Sequence, residues 1–359
     1  MWPHTKLTEL LGIKYPIIQA GMAGGSTTPE LVAAVSNAGG LGTLGAGYMA
    51  PEQMRKAIAD IRERTDQPFG VNLFVPGAYE EDMQVIFQMQ EYLKGIETRL
   101  GIQSTSNRKP GIYAESFAEQ LSVILEENVP VFSFTFGIPD AAAIEALHSN
   151  QTKVIGTATT VKEALLLAER GVDAIVAQGS EAGGHRGTFL QSFESSLVGT
   201  MALVPQIADR VRLPVIASGG IMDGRGIVAS LALGAAGVQM GTAFLSSFES
   251  GAHSKYKERI LTSSDDSTVI TRAFSGKPAR GIKNEFITMM DTYGKKIPHY
   301  PIQNALTKEM RKAAAGQENT EYMSLWAGQA ASLSQLASVE ELMSRLIRGV
   351  TDTLHSIQE

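Results

Sequence analysis

The sequence predicts a parallel (β/α)8 barrel, the TIM-barrel fold, from two observations. Short apolar runs alternate with longer amphipathic stretches through the first 240 residues, which is the pattern of repeated βαβ units. Eight such runs occur, and eight strands in this alternation favour a closed barrel over an open sheet. The predicted strands are residues 16–19, 41–44, 69–74, 131–134, 153–156, 174–177, 214–217 and 237–240.

Helical patterns fill the intervals between these runs. Several begin with a proline or an acidic residue and then place apolar residues at helical spacing, as helix starts do. The interval 75–128 is too long for one helix and predicts at least two, separated by the polar stretch 101–110. The other predicted helices are residues 29–38, 51–64, 160–170 and 223–234.

After residue 240 the strand–helix alternation ends. Residues 252–359 are predicted to be mostly helical, with a proline-punctuated loop near 296–302. Ser338 and Glu341 have the spacing of a capping box and predict a closing helix. We therefore expect three parts: a barrel over 1–250, a helical cap or small second domain over 251–330, and a closing helix packed on the barrel over 331–359.

Composition narrows the function. The chain of 359 residues is 43% hydrophobic, enough for a full core, and its lack of cysteine excludes disulfides, thiolate metal ligands and thiol catalysis. A net charge of -6 argues against a nucleic-acid partner, and no histidine or carboxylate cluster predicts a metal. No signal peptide or long apolar segment is recognisable, so we expect a cytoplasmic protein without a membrane partner. Homo-oligomerisation stays open.

Glycines follow the two last predicted strands. In such barrels the chemistry collects at the carboxyl ends of the strands, and a phosphate often binds the loops after strands seven and eight. Gly219, Gly220 and Gly241 offer bare backbone N–H groups there, and Thr242 adds a hydroxyl. No P-loop and no strand-borne GxGxxG occurs at these positions. The sequence thus predicts a phosphate site, although the glycines could equally serve tight turns alone.

The stretch AQGSEAGGHRG follows the sixth strand and holds the most reactive group. His185 titrates near neutrality and could act as base, acid or charge stabiliser, or could simply be a surface or capping histidine. The amides of Gln178 and of Asn72 across the barrel could bind a ring edge or stabilise turns. Glu181 could orient His185 or cap a turn, and Arg186 could bind an anion, although we expect it to be solvated. No GxSxG serine accompanies the histidine.

The strings PIIQAGMAG, PFGVNLFVP, AQGSEAGGHRGTF, VIASGGIMDGRG and GVQMGTAFL together resemble the nitronate monooxygenase family over roughly residues 1–330. The resemblance implies an FMN-binding barrel without a metal. It implies oxidation of alkyl nitronates, such as propionate 3-nitronate, with O2 to a carbonyl compound and nitrite. His185 matches the active-site histidine, and its expected role is to stabilise the nitronate as a donor or cation or, for neutral nitroalkanes, to remove a proton.

The resemblance also implies roles for the loop residues. The strand-one loop would lie along the flavin, the two amides would contact the isoalloxazine ring, and the last two loops would hold the phosphate. Lys277, Arg280 and Tyr300 lie in segments that resemble the family and could line the substrate mouth, or could be merely packed or solvated. The expected cofactor-binding residues are Gly21, Met22, Ala23, Asn72, Gln178, Gly183, Gly219, Gly220, Gln239, Met240, Gly241 and Thr242.

Other functions stay open. A flavin-dependent enoyl-ACP reductase using NAD(P)H would share EAGGH, but those reductases read EG-x-EAGGHIG where this chain reads AQGSEAGGHRG. A flavin-binding sensor or storage protein would use the same polar loops as ligands only. A phosphosugar isomerase would need acidic and lysine side chains at the strand ends, which this sequence lacks.

Overall fold

The fold is a closed parallel barrel. The computed structural model describes residues 2–102 and 113–359, and its main sheet has eight parallel strands in the order β1-β9-β8-β6-β5-β4-β3-β2, closed by a bridge between Ile18 and Leu41. The predicted (β/α)8 barrel is confirmed. The strands are β1 (Ile17–Gln19), β2 (Gly42–Gly45), β3 (Phe69–Phe74), β4 (Val131–Thr135), β5 (Lys153–Ala158), β6 (Ala174–Gln178), β7 (Gly184–His185), β8 (Val215–Ser218), β9 (Gly237–Met240), β10 (Thr268–Thr271) and β11 (Ala279–Ile282).

Helices surround the barrel and form most of the C-terminal region. All eight predicted barrel strands are present, with bounds within two residues of the prediction. The interval 75–128 contains two helices, as predicted, whereas most of the polar stretch between them, residues 103–110, lies outside the described residues. The helices are α1 (Lys6–Leu11), α2 (Pro29–Asn37), α3 (Pro51–Arg62), α4 (Met83–Arg99), α5 (Phe117–Glu126), α6 (Ala141–Ser149), α7 (Val161–Glu169), α8 (Thr200–Ala208), α9 (Gly224–Ala232), α10 (Thr242–Leu245), α11 (Ser254–Leu261), α12 (Glu285–Asp291), α13 (Ile302–Leu306), α14 (Lys308–Gly316) and α15 (Val339–Gln358).

Short polar side chains start the helices around the barrel. Thr28, Ser116, Asp140, Thr160 and Asp223 each accept a hydrogen bond from a backbone N–H in the first turn of the following helix. Such a cap satisfies a donor that the helix itself leaves unpaired and contributes about 1 kcal/mol. Apart from α5, which follows α4, these helices come after loops that are anchored at one end by the capped helix and at the other by a buried strand.

Two large hydrophobic cores underlie the molecule, and a third, smaller cluster joins Leu7 and Leu11 of α1 to the barrel strands. The first joins the barrel strands to their surrounding helices, and it includes Val339, Leu342, Leu346 and Val350 from α15. The capping box of Ser338 and Glu341 starts α15, which packs against α9 and α2. The second core joins α4 to residues of α10–α14 and β11. The segment that follows the barrel in sequence thus builds its own apolar interior, and the last helix returns to the barrel.

A small antiparallel sheet links the two cores. β11 pairs with β10 on one side and with β7 on the other, where Ala279 is opposite His185 and Arg280 is opposite Gly184. The sequence predicts mostly helices after residue 252 and does not indicate this sheet, because strands of two to four residues are too short to show a period. None of the helices in the described ranges is long and apolar enough to cross a membrane.

Candidate active site

One cavity of about 790 Å³ opens at the carboxyl ends of the barrel strands, and it brings the predicted site residues together. The thirteen residues proposed from sequence come from the ends of β1, β3, β6, β8 and β9, yet each of them lines this single cavity. They are Gly21, Met22, Ala23, Asn72, Gln178, Gly183, His185, Gly219, Gly220, Gln239, Met240, Gly241 and Thr242.

The loops after β8 and β9 form a concave surface of bare backbone. Gly219 and Gly220 have φ angles of 119° and 73°, a region that favours glycine. The N–H groups of Gly219, Gly220 and Gly241 donate to no acceptor within residues 2–102 and 113–359, although they line the cavity. Thr242 Oγ1 accepts the Gly328 N–H at 3.0 Å, so its own proton remains to be donated. Unpaired N–H groups in one concavity are what an anionic phosphate requires.

Close backbone approach makes several other glycines necessary. A Cβ at Gly21 would lie 2.6 Å from the Cβ of Asn72, and a Cβ at Gly183 would lie 2.6 Å from the backbone at Ala327. Asn72 Nδ2 donates to Ser133 Oγ at 2.9 Å, and Asn72 Oδ1 has no partner in the described part of the chain. The result is a narrow cavity with a free amide oxygen on one wall, a shape suited to a flat heterocycle.

Gln178 holds the histidine loop. Its Nε2 donates to the backbone carbonyl of His185 at 3.1 Å, and its Oε1 accepts the Gly187 N–H at 2.8 Å. The Gln178 side chain therefore connects the end of β6 to the residues on either side of Arg186. One N–H of the amide has no partner among the described residues and remains for a ligand in the cavity.

The expectation that Arg186 is solvated is wrong. Its side chain is buried, with Nη1 donating to the Gln178 carbonyl and Nη2 to the Ser196 carbonyl. Burial lowers its pKa to about 10, and the charges of Glu163 and Glu181 act in the opposite direction. The guanidinium is internal because it is the donor for two carbonyls that would otherwise be buried without a partner.

The two carboxylates near Arg186 serve the backbone rather than the histidine. Glu181 accepts the Thr200 N–H and hydroxyl, both at 2.9 Å, and so caps the start of α8. Of its two predicted roles, the geometry supports the cap. Glu163 is fully buried and accepts bonds from the backbone at Thr159, Phe189 and Leu190, at 2.7 to 3.0 Å. Together they tie the loop after β6 to the helices beside it.

His185 lies in an aromatic enclosure. The centroid of its ring is 5.4 Å from that of Trp326, 5.7 Å from Phe136, 6.0 Å from Tyr300 and 6.5 Å from Phe74. Burial, together with the positive charges of Lys277 and Arg311, lowers the pKa of His185 to about 3. The imidazole is therefore neutral at neutral pH, so that of the two expected forms, donor or cation, the donor is the one that the site favours.

Ser275 sets which nitrogen of His185 carries the proton. His185 Nε2 is 2.8 Å from Ser275 Oγ, and this hydroxyl can donate its one proton to the Lys277 carbonyl at 3.1 Å. In that arrangement the hydroxyl accepts from His185, and Nε2 holds the ring proton. The lone pair is then on Nδ1, which has no partner among the described residues.

The three candidates from the C-terminal region lie outside the residues that line the cavity. Lys277 Nζ lies 4.5 Å from the Phe136 centroid, and burial lowers its pKa to about 8. Arg280 is buried and donates to the Ser180 carbonyl at 3.1 Å and to Thr268 Oγ1 at 3.2 Å, so that of its two predicted roles the geometry supports packing. Tyr300 packs edge-on against the rings of His185 and Phe136.

Several further residues at the cavity are not indicated by the sequence. Tyr48, Arg311 and Trp326 line the cavity, and Ser275 contacts His185 from behind. Arg311 Nη2 donates to the backbone and side-chain oxygens of Asn304 at 2.8 and 2.9 Å. They come from the loop after β2, from α14 and from irregular loops, so no local pattern indicated them. No group of three or more His, Asp or Glu side chains in the described ranges could hold a metal ion.

Comparisons with known proteins agree with this site. The family model described as nitronate monooxygenase matches residues 4–349. The chain is 48% identical to a probable nitronate monooxygenase of Staphylococcus saprophyticus, over 98% of this chain and 99% of that protein, and 49% identical to one of Staphylococcus aureus, over 99% of each.

Solved structures agree as well. A nitroalkane oxidase from Streptomyces ansochromogenes is 38% identical with a TM-score of 0.88, over 98% of this chain and 99% of the other. FabK from Thermotoga maritima is 34% identical with a TM-score of 0.79, over 99% and 98%. The match of the family model over nearly the whole chain, with relatives near half identity, shows that this protein belongs to the nitronate monooxygenase family.

Proposed function

We propose that the protein oxidises alkyl nitronates with O2, using FMN, and releases a carbonyl compound and nitrite. The observation that carries this proposal is one cavity with two unlike ends: unpaired backbone N–H groups at Gly219, Gly220 and Gly241, and a neutral histidine among aromatic rings. The first end suits a phosphate, and the second suits a small organic substrate.

The described residues fit the cofactor. The glycine loops after β8 and β9, with the Thr242 hydroxyl, would hold the phosphate through backbone donors. Asn72 and the free N–H of Gln178 would contact the ring edge, and Gly21, Met22, Ala23 and Gly183 would lie along its face. Gln239 and Met240 would complete the phosphate end. Bound FMN supplies the electron-accepting ring that the side chains themselves lack.

The side chains at the His185 end of the cavity would orient the substrate. A nitronate is already a carbanion equivalent, so its oxidation requires no strong base. Phe136, Tyr300 and Trp326 form the walls around His185 and exclude water, which strengthens every polar contact to the substrate. Positioning the anion beside the cofactor and His185 is therefore the main contribution of the protein.

The protonation state of His185 extends the proposal to neutral nitroalkanes. With the proton of the ring on Nε2 and shared with Ser275, Nδ1 is an available base at neutral pH. It can accept the α-proton of a neutral nitroalkane and so produce the nitronate within the site. The likeness to a protein named nitroalkane oxidase favours this second substrate class.

A single experiment tests the main proposal. We expect purified protein incubated with FMN to show oxidised-flavin absorbance and to release nitrite from propionate 3-nitronate under air. Under anaerobic conditions the nitronate should bleach the flavin, whereas NADH should not. A folded protein that takes up no FMN, or a flavin-loaded protein that releases no nitrite, would contradict the proposal.

The same measurement tests the alternatives. Bleaching by NADH or NADPH but not by a nitronate would favour the flavin-dependent enoyl-ACP reductase, for which the 34% identity to FabK is the relevant observation. Bound flavin without either reaction would favour a flavin-binding protein that has no turnover. The cytoplasmic location and homo-oligomerisation stay predictions, to be checked by cell fractionation and light scattering.

A further inference from the structure

A buried carboxylate outside the cavity holds the backbone that follows His185. Glu163 of α7 is fully buried, and it is not among the residues that line the cavity. Its Oε1 accepts the Thr188 hydroxyl at 3.0 Å and the N–H groups of Phe189 and Leu190 at 2.8 and 3.0 Å. A charge that is removed from water is stable only where hydrogen bonds and opposite charges replace the lost solvent. The carboxylate and this stretch of backbone therefore stabilise each other.

The other oxygen of Glu163 attaches this contact to the loop after β5. Oε2 accepts the Thr159 N–H at 2.7 Å and the Thr159 hydroxyl at 2.6 Å. Thr160 caps α7 by accepting the Glu163 N–H at 3.2 Å, so the carboxylate belongs to the first turn of a capped helix. The charge of Arg186 also faces the carboxylate. Both oxygens are thus used by donors of the protein, and Glu163 is a fixed anchor for the backbone that it binds.

Lys277 contacts the same backbone from a second element. Its Nζ is 3.4 Å from the Thr188 carbonyl and 4.5 Å from the centroid of the Phe136 ring. Thr188 therefore contacts both charges, because its hydroxyl donates to Glu163 and its carbonyl accepts from Lys277. Burial lowers the pKa of Lys277 to about 8 and the charge of Arg272 also lowers it, whereas the charge of Glu163 acts in the opposite direction. The lysine thus supplies part of the positive charge that the buried carboxylate requires.

Lys277 is also connected to His185 through Ser275. Both Lys277 and Ser275 lie on the connection between β10 and β11, and the Lys277 N–H donates to Ser275 Oγ at 3.3 Å. The same oxygen is 2.8 Å from His185 Nε2. The connection thus contacts the histidine loop, residues 184–190, at both His185 and Thr188. A shift of the loop at Thr188 would therefore change the direction of the imidazole.

We propose that Glu163 and Lys277 are a pair of positioning residues that hold the histidine loop and thereby fix the direction of the His185 imidazole. Glu163 holds the loop from α7, and Lys277 holds it from the connection between β10 and β11. Neither side chain lines the cavity, so both act on the reaction through His185 rather than on a ligand. The kinetic consequence rests on the proposed function, whereas the placement of the loop does not.

A double-mutant cycle in the flavin-loaded enzyme tests whether the two residues act together. We expect Glu163→Ala and Lys277→Met each to lower kcat for 1-nitrobutane by about tenfold and to change KM by less than about twofold, because the base is misdirected while the cavity walls remain. The double variant should lose about 10- to 20-fold rather than the roughly 100-fold of independent residues, since the loop is released only once. Oxidation of the nitronate, which needs no base, should change by less than about threefold in all three variants.

Conservative substitutions and matched controls separate positioning from folding. Glu163→Gln keeps one oxygen for the loop and Lys277→Arg keeps the charge, so each should recover part of the lost kcat. Glu169→Gln at the end of α7 and Lys283→Met directly after β11 remove exposed charges of the same kind and should leave kcat unchanged. A role confined to stability would lower the free energy of unfolding and the activity toward both substrates together.

Hydrogen exchange, followed by mass spectrometry on protein with FMN added, tests the placement of the loop without turnover. We expect the amides of Phe189 and Leu190 to exchange at least about tenfold faster in Glu163→Ala and about threefold faster in Lys277→Met, because their acceptor or its partner is removed. Peptides from α9 should exchange as in the wild type. This test also decides the placement if the wild type converts neither a nitronate nor a nitroalkane, an outcome that would contradict the proposed function alone.

Three results would overturn the pair. Losses that multiply in the double variant would show that the two residues act independently. Equal losses for 1-nitrobutane and its nitronate would assign both residues to the fold. Unchanged exchange at Phe189 and Leu190 in Glu163→Ala would show that the carboxylate does not hold the loop. If Glu163→Ala does not fold, Glu163→Gln and Lys277→Met decide the question, and an unchanged kcat in both would be equally contrary.

Discussion

The two ends of the cavity are built from different materials. At the end formed by the loops after β8 and β9, the donors are backbone N–H groups of Gly219, Gly220 and Gly241, each placed by a strand of the barrel. The other end of the cavity is lined by side chains, among them His185 and Arg311. Both side chains are held by hydrogen bonds to residues of the C-terminal region. The end of the cavity that offers backbone donors is formed by the barrel alone. The end that offers side chains depends on packing between segments that are distant in sequence.

The largest expected effect is at the side-chain end. His185→Asn should retain FMN but lower kcat/KM for a neutral nitroalkane such as 1-nitrobutane by about 100-fold or more, because it removes the proposed base. Nitrite release and flavin content are the measurements, and the exposed His355→Asn is the control. Unchanged turnover of 1-nitrobutane in the Asn variant would remove His185 from proton abstraction.

At the backbone end the expected effect is on FMN binding. Gly219 has a φ of 119°, and a Cβ there would lie 2.9 Å from Thr200 Oγ1. Gly219→Ala should weaken FMN binding by about tenfold or more and lower the free energy of unfolding by about 1–3 kcal/mol, because the new side chain strains this loop. Flavin fluorescence titration and chemical denaturation measure the two. Gly77→Ala, at an exposed glycine with open space around its Cβ position, is the matched control and should change neither.

Replacing Ser275 separates proton abstraction from the other contributions of the side-chain end, because Ser275 acts on the reaction only through His185. Ser275→Ala frees Nε2 from its partner, so we expect kcat/KM for 1-nitrobutane to fall about tenfold while that for its nitronate changes less than about threefold. Ser275→Thr keeps a hydroxyl and should restore part of the loss. A merely structural role for Ser275 would lower both activities together, which steady-state kinetics with the two substrates would reveal.

The smallest expected change is in the pH profile. The pKa of His185 is lowered from 6.5 to about 3, so the base form persists as the pH falls through 6.5 and is lost only near the lower value. We expect kcat/KM for 1-nitrobutane to stay level from about pH 8 to about pH 5, apart from effects shared with the nitronate. A fall in kcat/KM near pH 6.5, absent from the nitronate profile, would mean that His185 titrates as a solvated imidazole.

The sequence was sufficient for the barrel and for the backbone end of the cavity. Eight apolar runs with helices between them leave few topologies, and strand ends in a barrel converge, so glycines at 219, 220 and 241 could be placed together from order alone. Residues that act through distant contacts could not be found in this way. Ser275 and Arg311 are far from His185 along the chain.

The burial of arginine side chains is the second feature that the sequence does not reveal. Arg186 was expected in solvent because arginine usually is, yet two carbonyls and two nearby carboxylates hold it inside. Arg280 is internal for a similar reason, since it donates to a carbonyl and a threonine hydroxyl. The polarity of an isolated side chain does not reveal which unpaired backbone groups it will meet after folding.

The pairing of β7 with β11 has a consequence for how such enzymes can be altered. His185 is itself a strand residue opposite Ala279, and the next N–H along, that of Arg186, donates to the Pro278 carbonyl at 2.9 Å. The reactive loop therefore belongs structurally to both halves of the polypeptide. Exchanging the C-terminal half with that of a relative would replace β11 without replacing β7, the strand with which it pairs. A working hybrid would therefore need the loop after β6 and the β10–β11 hairpin to be exchanged together.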